Sequence, residues 1–273
     1  LGAARIRIRS LLAALNDLRP TVKPTATLAA SRRPGPAPLP EIKRAYSILA
    51  PQLSPIHFQF LEAAFRKAGY QLTIPPLPGK SAVDEGLRFV NNDACYPAIL
   101  AVGQLLQALR SGDYDPDRTA VLPTQTGGCC RATNYVALAR KALADAGLAQ
   151  VPVLAFGRQS QSQVSVSLSL LESLIVGVIY GDLLMRVLYR VRPYEQTPGA
   201  AQALYEEWAA RCRQDMLVHA RRHFADNIRG IVRAFDTLPI NDQRKPRVGL
   251  VGEILVKYHP TANNHLVDLL ESE

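Results

Sequence analysis

Apolar residues recur at helical spacing along most of the chain after residue 50, and short apolar runs separate the helical stretches. The helical spacing predicts helices over residues 55–69, from 81, over 96–109 and over 131–146. Short runs bounded by Pro or Gly predict strands over residues 70–74, 119–123, 151–156 and 247–254. Strands that alternate with amphipathic helices are typical of parallel βαβ units. We therefore expect an α/β fold with Rossmann-like parallel sheet layers flanked by helices.

A long helical segment follows the third predicted strand, over residues 166–191 and again over 200–235, and a last helix is expected over 262–271. Residues 174–180 are apolar on all sides, which predicts a buried core helix. Glu172, Asp182 and Arg186 interrupt this segment, and a membrane span needs roughly 18 uninterrupted apolar residues. We therefore expect no membrane partner.

The first 44 residues differ from the rest of the chain. Residues 1–19 carry a helical apolar stripe and are interpreted as the helical tail of a preceding unit. Six prolines between residues 20 and 40 predict an extended linker over 20–44. The main α/β domain is expected over residues 45–273, and because the pattern stops inside a helix, we expect it to be truncated at its C-terminus.

The composition is that of an ordinary globular protein with a basic excess, because 48% of the residues are hydrophobic and the net charge is +9. Residues 1–44 hold nine basic and two acidic side chains, a net charge of +7, so only +2 remains for the other 229 residues. This distribution argues against nucleic-acid binding through the basic helices. Four cysteines are too few for a disulfide scaffold, so we expect a reducing, cytoplasmic location.

Two cysteines stand at predicted starts of helices. Cys95 precedes the helix at 96–109, where the helix dipole favours a thiolate, and Cys130 follows Gly127 and Gly128 after a predicted strand. Both cysteines are expected at strand-to-helix turns, 35 residues apart, and can meet if their strands are neighbours in a parallel sheet. Thiolates in such places suit a metal ion or an iron–sulfur cluster. A single cysteine on a helix is more often a small buried residue, so the pair carries the hypothesis.

A third polar segment lies between the predicted strand at 247–254 and the last helix. Glu253, Lys257 and His259 are candidates for substrate contact or proton transfer, because their side chains donate or accept protons near neutral pH. Cys212 lies inside a helix rich in Ala and Arg and is interpreted as a packing residue. It could serve as a further metal ligand only if its helix folds back over the site.

Five segments resemble the large bacterial acyl-CoA dehydratase activase-related proteins, relatives of the 2-hydroxyacyl-CoA dehydratase and benzoyl-CoA reductase system. They are NNDACYPA at 91–98, QTGGCCRATNY at 125–135, YGDLL at 180–184, YRVRPYE at 189–195 and GEILVKYHP at 252–260. The resemblance covers roughly residue 51 to the C-terminus. Cys129 stands where these relatives are expected to have Gly, so Cys130 is the better match.

The resemblance implies a dehydratase-like module whose cysteines hold a [4Fe-4S] cluster, with Cys95 and Cys130 as ligands and Cys212 as a third candidate. A cluster needs about four ligands, so others must complete the set. The chain would be part of a 2-hydroxyacyl-CoA dehydratase, which is a lyase, or of its activase. It would receive electrons from an activase ATPase domain, upstream or on a separate chain, and act on an acyl-CoA. ATP would act only through that domain. The alternative from another class is a non-catalytic module that docks the ATPase domain.

Overall fold

A computed structural model describes residues 42–43, 45–91, 94–125, 130–155, 164, 166–219 and 221–273. These residues all belong to the compact unit Pro36–Glu273. The predicted helical tail over 1–19 and the linker, apart from Ile42 and Lys43, lie outside the described residues. Asp93 and Cys129 also lie outside them.

The described chain is mostly helical with a small parallel sheet, so the expected combination of helices and parallel strands is present. The strands are β1 (Ser47–Leu49), β2 (Gln71–Thr73) and β3 (Thr119–Val121). The helices are α1 (Pro55–Lys67), α2 (Lys80–Phe89), α3 (Tyr96–Arg110), α4 (Tyr135–Asp145), α5 (Leu168–Val191), α6 (Ala200–His219), α7 (Phe224–Asp236), α8 (Ile254–Tyr258) and α9 (Leu266–Ser272). Short 3₁₀ turns are Pro116–Arg118, Arg131–Asn134, Arg192–Tyr194 and Thr261–Asn263.

The sheet has the order β2-β1-β3, and both pairs of strands are parallel. Ile48 of the central strand pairs with Leu72 on one side and with Ala120 on the other. Beyond β3, Val153 makes a single parallel bridge to Val121. Each crossover between strands contains helices, as parallel pairing requires.

The predicted strands at 70–74 and 119–123 are confirmed as β2 and β3. The predicted strand at 151–156 is reduced to the bridge at Val153, with the neighbour and direction that a parallel sheet requires. The predicted strand at 247–254 is wrong, because Val248 and Val251 are exposed and the segment pairs with no described strand. Alternating apolar residues form a strand only where a neighbouring strand can pair with them and a core can bury their side chains.

Helices cover both faces of the sheet, because successive strand residues point to opposite sides. Ile48 and Ala120 face a core formed with α1, α5, α6 and α7, whereas Leu49 and Val121 face a second core formed with α3 and α4. Leu72 joins the first core. Packing in these two cores therefore determines the positions of the helices relative to the edge of the sheet where β1 and β3 end.

Helix α5 is buried along one face only, which corrects the expectation of a helix buried on all sides. Tyr180 and Leu184 lie in the core, but Ile175 and Val178 are 53% and 54% exposed. Leu168–Tyr194 is long and apolar enough to cross a membrane by length and composition, and 39% of its apolar window is buried. One such helix is weak evidence for a membrane span, because core helices of other proteins pass the same test.

The predicted continuous helix over 200–235 is two helices, because the chain turns between α6 and α7 and folds back. Gly230 of α7 faces the indole of Trp208 on α6 so closely that a β-carbon there would collide with the ring. After the turn, Phe224 reaches the ring of Tyr180, with ring centroids 5.3 Å apart. The turn thus returns α7 to the same core as α5.

Glycines allow two pairs of helices to approach closely, one pair through main-chain atoms and the other through a side chain. A β-carbon at Gly86 of α2 would collide with the carbonyl of Ile99 on α3, and one at Gly103 of α3 would collide with the carbonyl of Ala82. Gly181 of α5 faces the imidazole ring of His57 on α1 in the same manner. Only glycine fits these positions without moving a neighbouring helix or ring.

Gly103→Ala is expected to lower the free energy of unfolding by about 3 kcal/mol, because a methyl group would meet a main-chain oxygen that cannot rotate away. Urea unfolding followed by circular dichroism measures the change. Gly249→Ala is the matched control, since no atom lies within 4 Å of a β-carbon there, and its effect should stay within about 0.5 kcal/mol. Equal effects of the two substitutions would contradict the close contact.

Candidate functional site

Cys95 lies at the start of α3, as expected, but the segment before it is helix α2 rather than a strand. Its turn therefore joins two helices, which corrects the expected strand-to-helix position. Cys95 is the N-terminal cap of α3, and its carbonyl accepts hydrogen bonds from the N–H groups of Ala98 and Ile99. The Gly86 and Gly103 contact fixes α2 against α3, so the position of Cys95 follows from that contact.

Cys130 does follow a strand and begins a helical turn, which confirms the expectation for this residue. It caps the 3₁₀ turn Arg131–Asn134, and the main-chain N–H of Ala132 donates a hydrogen bond to its sulfur at 3.5 Å. The N–H and hydroxyl of Thr133 both donate to the Cys130 carbonyl. Cys130 is exposed, so its hydrogen-bonded side chain is accessible to solvent.

Tyr135 at the start of α4 links the two cysteines. Its hydroxyl lies 3.9 Å from the sulfur of Cys95, and its ring packs with Ala98 and Ala101. Burial raises the pKa of Tyr135 well above its ordinary value, and negative charge on Cys95, the hydrogen bond to Cys95, and negative charge on Glu253 and Cys130 raise it further. The phenol therefore stays protonated at neutral pH and can donate its O–H to a thiolate of Cys95.

Negative charge on Cys95, Cys130 and Glu253 raises the pKa of Tyr135, and Cys95 is also in hydrogen-bonding contact with its hydroxyl. No role was predicted for Tyr135 from the sequence, although the residue ends one of the five resembling segments. Its signal was the spacing alone, because Tyr135 follows Cys130 by five residues, which is about one and a half helical turns.

Glu253 caps the short helix α8 and Lys257 lies within it, whereas the sequence predicted a strand up to residue 254. Glu253 is exposed and caps α8 by accepting a hydrogen bond from the N–H of Val256 at 3.3 Å. Leu255 anchors the helix among Ala82, Leu100 and neighbouring side chains. The ammonium of Lys257 lies 5.2 Å from the ring centre of Tyr258. Negative charge on Glu253 contributes to the raised pKa of Tyr135. The role of Lys257 in substrate contact stays a prediction.

His259 is fully buried and holds a turn together. Its Nδ1 accepts a hydrogen bond from the N–H of Ala262 at 3.2 Å, so its Nε2 carries the proton, and this atom has no partner among the described residues. Burial lowers the pKa of His259 to about 4, and the nearby His265 contributes to the lowering. The side chain is neutral at pH 7, and its predicted part in proton transfer stays a prediction.

Cys212 lies apart from the other cysteines. It is fully buried in the core of α1, α5, α6 and α7, and burial raises its pKa to about 12. Cys95 packs in a different cluster with Ala98 and Tyr135. The structure therefore does not bring Cys212 to Cys95 and Cys130, and its role as a ligand stays a prediction.

The residues of the candidate site form an incomplete set of metal ligands. Within the described ranges, no group of three or more His, Cys, Asp or Glu side chains is placed to hold a metal ion. Cys129, next to Cys130, is outside those ranges. Gln125, in the loop that follows β3, has a buried side-chain oxygen with no hydrogen-bond donor among the described residues.

Two of the resembling segments have contacts that stabilise the fold. Glu195 accepts hydrogen bonds from the N–H groups of Gly199 and Ala201 and so holds the start of α6. The hydroxyl of Tyr180 accepts a hydrogen bond from the amide of the fully buried Asn227 at 3.2 Å. Much of the resemblance outside the cysteine segments therefore falls on residues that hold helices together.

No family model matches this chain, and no curated protein or solved structure matches it either.

His259→Asn is expected to make the protein less sensitive to acid. The unfolded His259 takes up a proton near pH 6.5, whereas the folded one does so near pH 4, so its contribution is complete at neutral pH and is lost as the pH falls through this interval. The wild type should lose about 3 kcal/mol more than the variant between pH 7 and pH 4. Asn keeps an oxygen that can accept from Ala262.

Urea unfolding at a series of pH values measures this difference. His223→Asn is the control, because the side chain of His223 is 49% exposed and does not contribute to the shifted pKa of His259. An acid dependence of His259→Asn identical to that of the wild type would show that His259 does not cause the loss.

Proposed function

We propose that the chain is an iron–sulfur module of an ATP-coupled electron-transfer system for 2-hydroxyacyl-CoA dehydration, in which Cys95 and Cys130 bind a [4Fe-4S] cluster. The observation that carries the proposal is the contact of the Tyr135 hydroxyl with the sulfur of Cys95 at 3.9 Å. Tyr135 begins the helix that directly follows the Cys130 turn, so this contact joins two cysteine segments whose cysteines are 35 residues apart in the sequence.

Each sulfur has one hydrogen-bond donor supplied by the chain. Tyr135 supplies a hydroxyl to Cys95, and the main-chain N–H of Ala132 supplies the donor to Cys130. Hydrogen bonds to cluster sulfurs are among the means by which proteins set a reduction potential. Both contacts are compatible with a thiolate role for the cysteines, and the one at Cys130 also caps the 3₁₀ turn.

The fit to a four-ligand cluster is partial. Cys95 and Cys130 would supply two ligands, and Glu253 is a carboxylate whose negative charge, like theirs, raises the pKa of Tyr135. The remaining ligands would come from Cys129, from another segment or from a second subunit. Because Cys130 is exposed, such a ligand can reach the site from outside.

The other parts of the proposal rest on the resemblance. Glu253 and Lys257 would contact the acyl-CoA or move a proton at the rim of the site, and an activase ATPase domain would supply electrons and use the ATP. A reducing, cytoplasmic compartment would keep Cys95, Cys130 and Cys212 as free thiols. The parallel strands with helices on both faces support a Rossmann-like layer as the frame of the module.

A non-catalytic docking module is the second candidate, and the exposed face of α5 favours it. Leu171, Ile175 and Val178 are each close to half exposed, and Leu174, Ile175, Val178 and Ile179 line a shallow apolar groove. Exposed apolar patches of this kind often mark protein interaction surfaces. A docking module would bind the ATPase domain without binding iron.

Anaerobic reconstitution with iron and sulfide tests the proposal. Cys95→Ala and Cys130→Ala are each expected to bind at least about tenfold less iron than the wild type when iron is limiting, because a lost ligand costs more than a lost hydrogen bond to a ligand. Iron analysis, absorbance and EPR spectra measure the bound cluster. Variants that bind as much cluster as the wild type would exclude this site.

Two further variants separate the roles of neighbouring groups. Tyr135→Phe should retain the cluster but change its reduction potential, because it removes only the hydrogen bond to Cys95. Cys212→Ala should bind iron as the wild type does, since Cys212 lies in a separate core. Absence of iron from the wild type under strict anaerobiosis, together with binding of the ATPase domain, would favour the docking module.

A further inference from the structure

Ser54, His57 and Asp182 form a chain of hydrogen bonds that the iron–sulfur proposal does not use. The Ser54 hydroxyl lies 2.7 Å from Nδ1 of His57, and Nε2 of His57 lies 3.0 Å from a carboxylate oxygen of Asp182. Ser54 and His57 are one helical turn apart at the start of α1, whereas Asp182 comes from α5. Two elements distant in sequence thus combine a hydroxyl, an imidazole and a carboxylate.

The Ser54 hydroxyl does not perform the usual task of a serine at its position. Ser54 is the N-terminal cap of α1, yet its side chain makes no capping hydrogen bond to the helix. Ser167 occupies the same position on α5, and its hydroxyl accepts the N–H of Leu170 at 3.2 Å. A serine cap of that kind contributes about 1 kcal/mol to the stability of the folded protein. The Ser54 hydroxyl makes no such cap and is hydrogen-bonded to the imidazole of His57 instead.

The partners of the imidazole determine its tautomer. A carboxylate accepts hydrogen bonds and does not donate them, so Nε2 of His57 carries the proton and donates to Asp182. Nδ1 is then unprotonated and accepts the O–H of Ser54. This is the arrangement in which a histidine can remove a proton from a serine hydroxyl.

The imidazole ring is held from two sides. Gly181 leaves room for the ring against α5, and the ring of Tyr258 on α8 packs edge-on, with centroids 5.9 Å apart. The N–H of Ser54 donates to the side-chain oxygen of Gln52 at 3.2 Å. The hydroxyl and its base therefore have fixed positions before any ligand binds.

We propose that Ser54 is an activated nucleophile for acyl groups, with His57 as its general base and Asp182 as the positioning residue. The ligand would carry an activated carbonyl, either an ester or a thioester. Ser54 lies in the segment after β1, at the edge where the parallel strands end. This site is distinct from Cys95 and Cys130 and does not depend on iron.

In the acylation step, the Ser54 oxygen forms a bond to the carbonyl carbon while its proton passes to Nδ1 of His57. The bond from carbon to the leaving oxygen or sulfur then breaks, and His57 returns the proton to the leaving group. Water attacks the acyl-serine, gives one proton to His57 and releases a carboxylic acid, and the proton returns to the Ser54 oxygen. The net reaction is hydrolysis of one ester or thioester bond.

The exposure of the three groups sets the expected sizes of their effects. Ser54 is 8% exposed, so a small electrophile is required to reach it. The side chain of His57 is 17% exposed and that of Asp182 is 66% exposed. An exposed carboxylate interacts with its partner more weakly than a buried one, so loss of Asp182 should have a smaller effect than loss of His57.

Covalent labelling of the full 273-residue chain with a small fluorophosphonate, without added iron, tests the proposal. Mass spectrometry of peptides is expected to place the label on Ser54. Ser54→Ala should abolish it, and His57→Asn should slow labelling at least about 100-fold because the base is lost. Asp182→Asn should slow it about 10-fold, and Asp182→Glu should restore part of the rate.

Ser167→Ala is the matched control and should label as the wild type does, since Ser167 caps a helix in the ordinary manner. Release of p-nitrophenol from p-nitrophenyl acetate, and of thiol from a short acyl thioester, distinguishes esters from thioesters as substrates. Circular dichroism verifies that each variant is folded. Failure of the folded wild type to label at Ser54, or equal labelling of folded wild type and His57→Asn, would overturn the proposal.

Discussion

The contact between α2 and α3 depends on Gly86 and Gly103, because a methyl group at either position would collide with a main-chain carbonyl of the opposite helix. Cys95 lies in the turn that joins these two helices. Helix α3 also carries Ala98 and Ala101, against which Tyr135 packs. Main-chain contact of α2 and α3 therefore fixes the position of Cys95 and is a stiffer constraint than side-chain packing, whereas the distance from Cys95 to Tyr135 depends in addition on how α4 packs against α3.

A second contact of the same kind joins α1 to α5. Gly177 faces Phe60 and Met216, and Gly181 faces His57. Two glycines four residues apart lie on one face of a helix, so they form a groove along α5 that receives α1. Because His57 occupies this groove, the same contact that closes the core also brings the imidazole to Asp182.

Helical spacing in the sequence was sufficient to predict α1, α3 and α4 within a few residues, because these helices are amphipathic and end near Gly. The pattern of short apolar runs that end near Pro predicted two of the three strands. It missed β1, whose three residues are too few to show a pattern, although this strand is central in the sheet. It also predicted a strand over 247–254 where apolar residues remain exposed, because the sequence does not show whether a sheet edge is near. For the site, the pairing of Cys95 with Cys130 as ligands stays a prediction, whereas their positions at the starts of helical segments were predicted from the sequence. Tyr135 was not, because its role depends on how α3 packs against α4.

Helix α8 connects the two proposed sites. Glu253 at its start lies in the electrostatic environment of Tyr135, and Tyr258 at its end contacts His57. Five residues separate these positions, which is about 7 Å along a helix. Leu255 between them lies in a buried cluster with Leu100 of α3, and Leu53, which precedes Ser54, packs against that cluster. Because the helix has only five residues and one buried anchor, it depends on its neighbours for its position. A displacement of α8 would therefore alter the surroundings of both Tyr135 and His57.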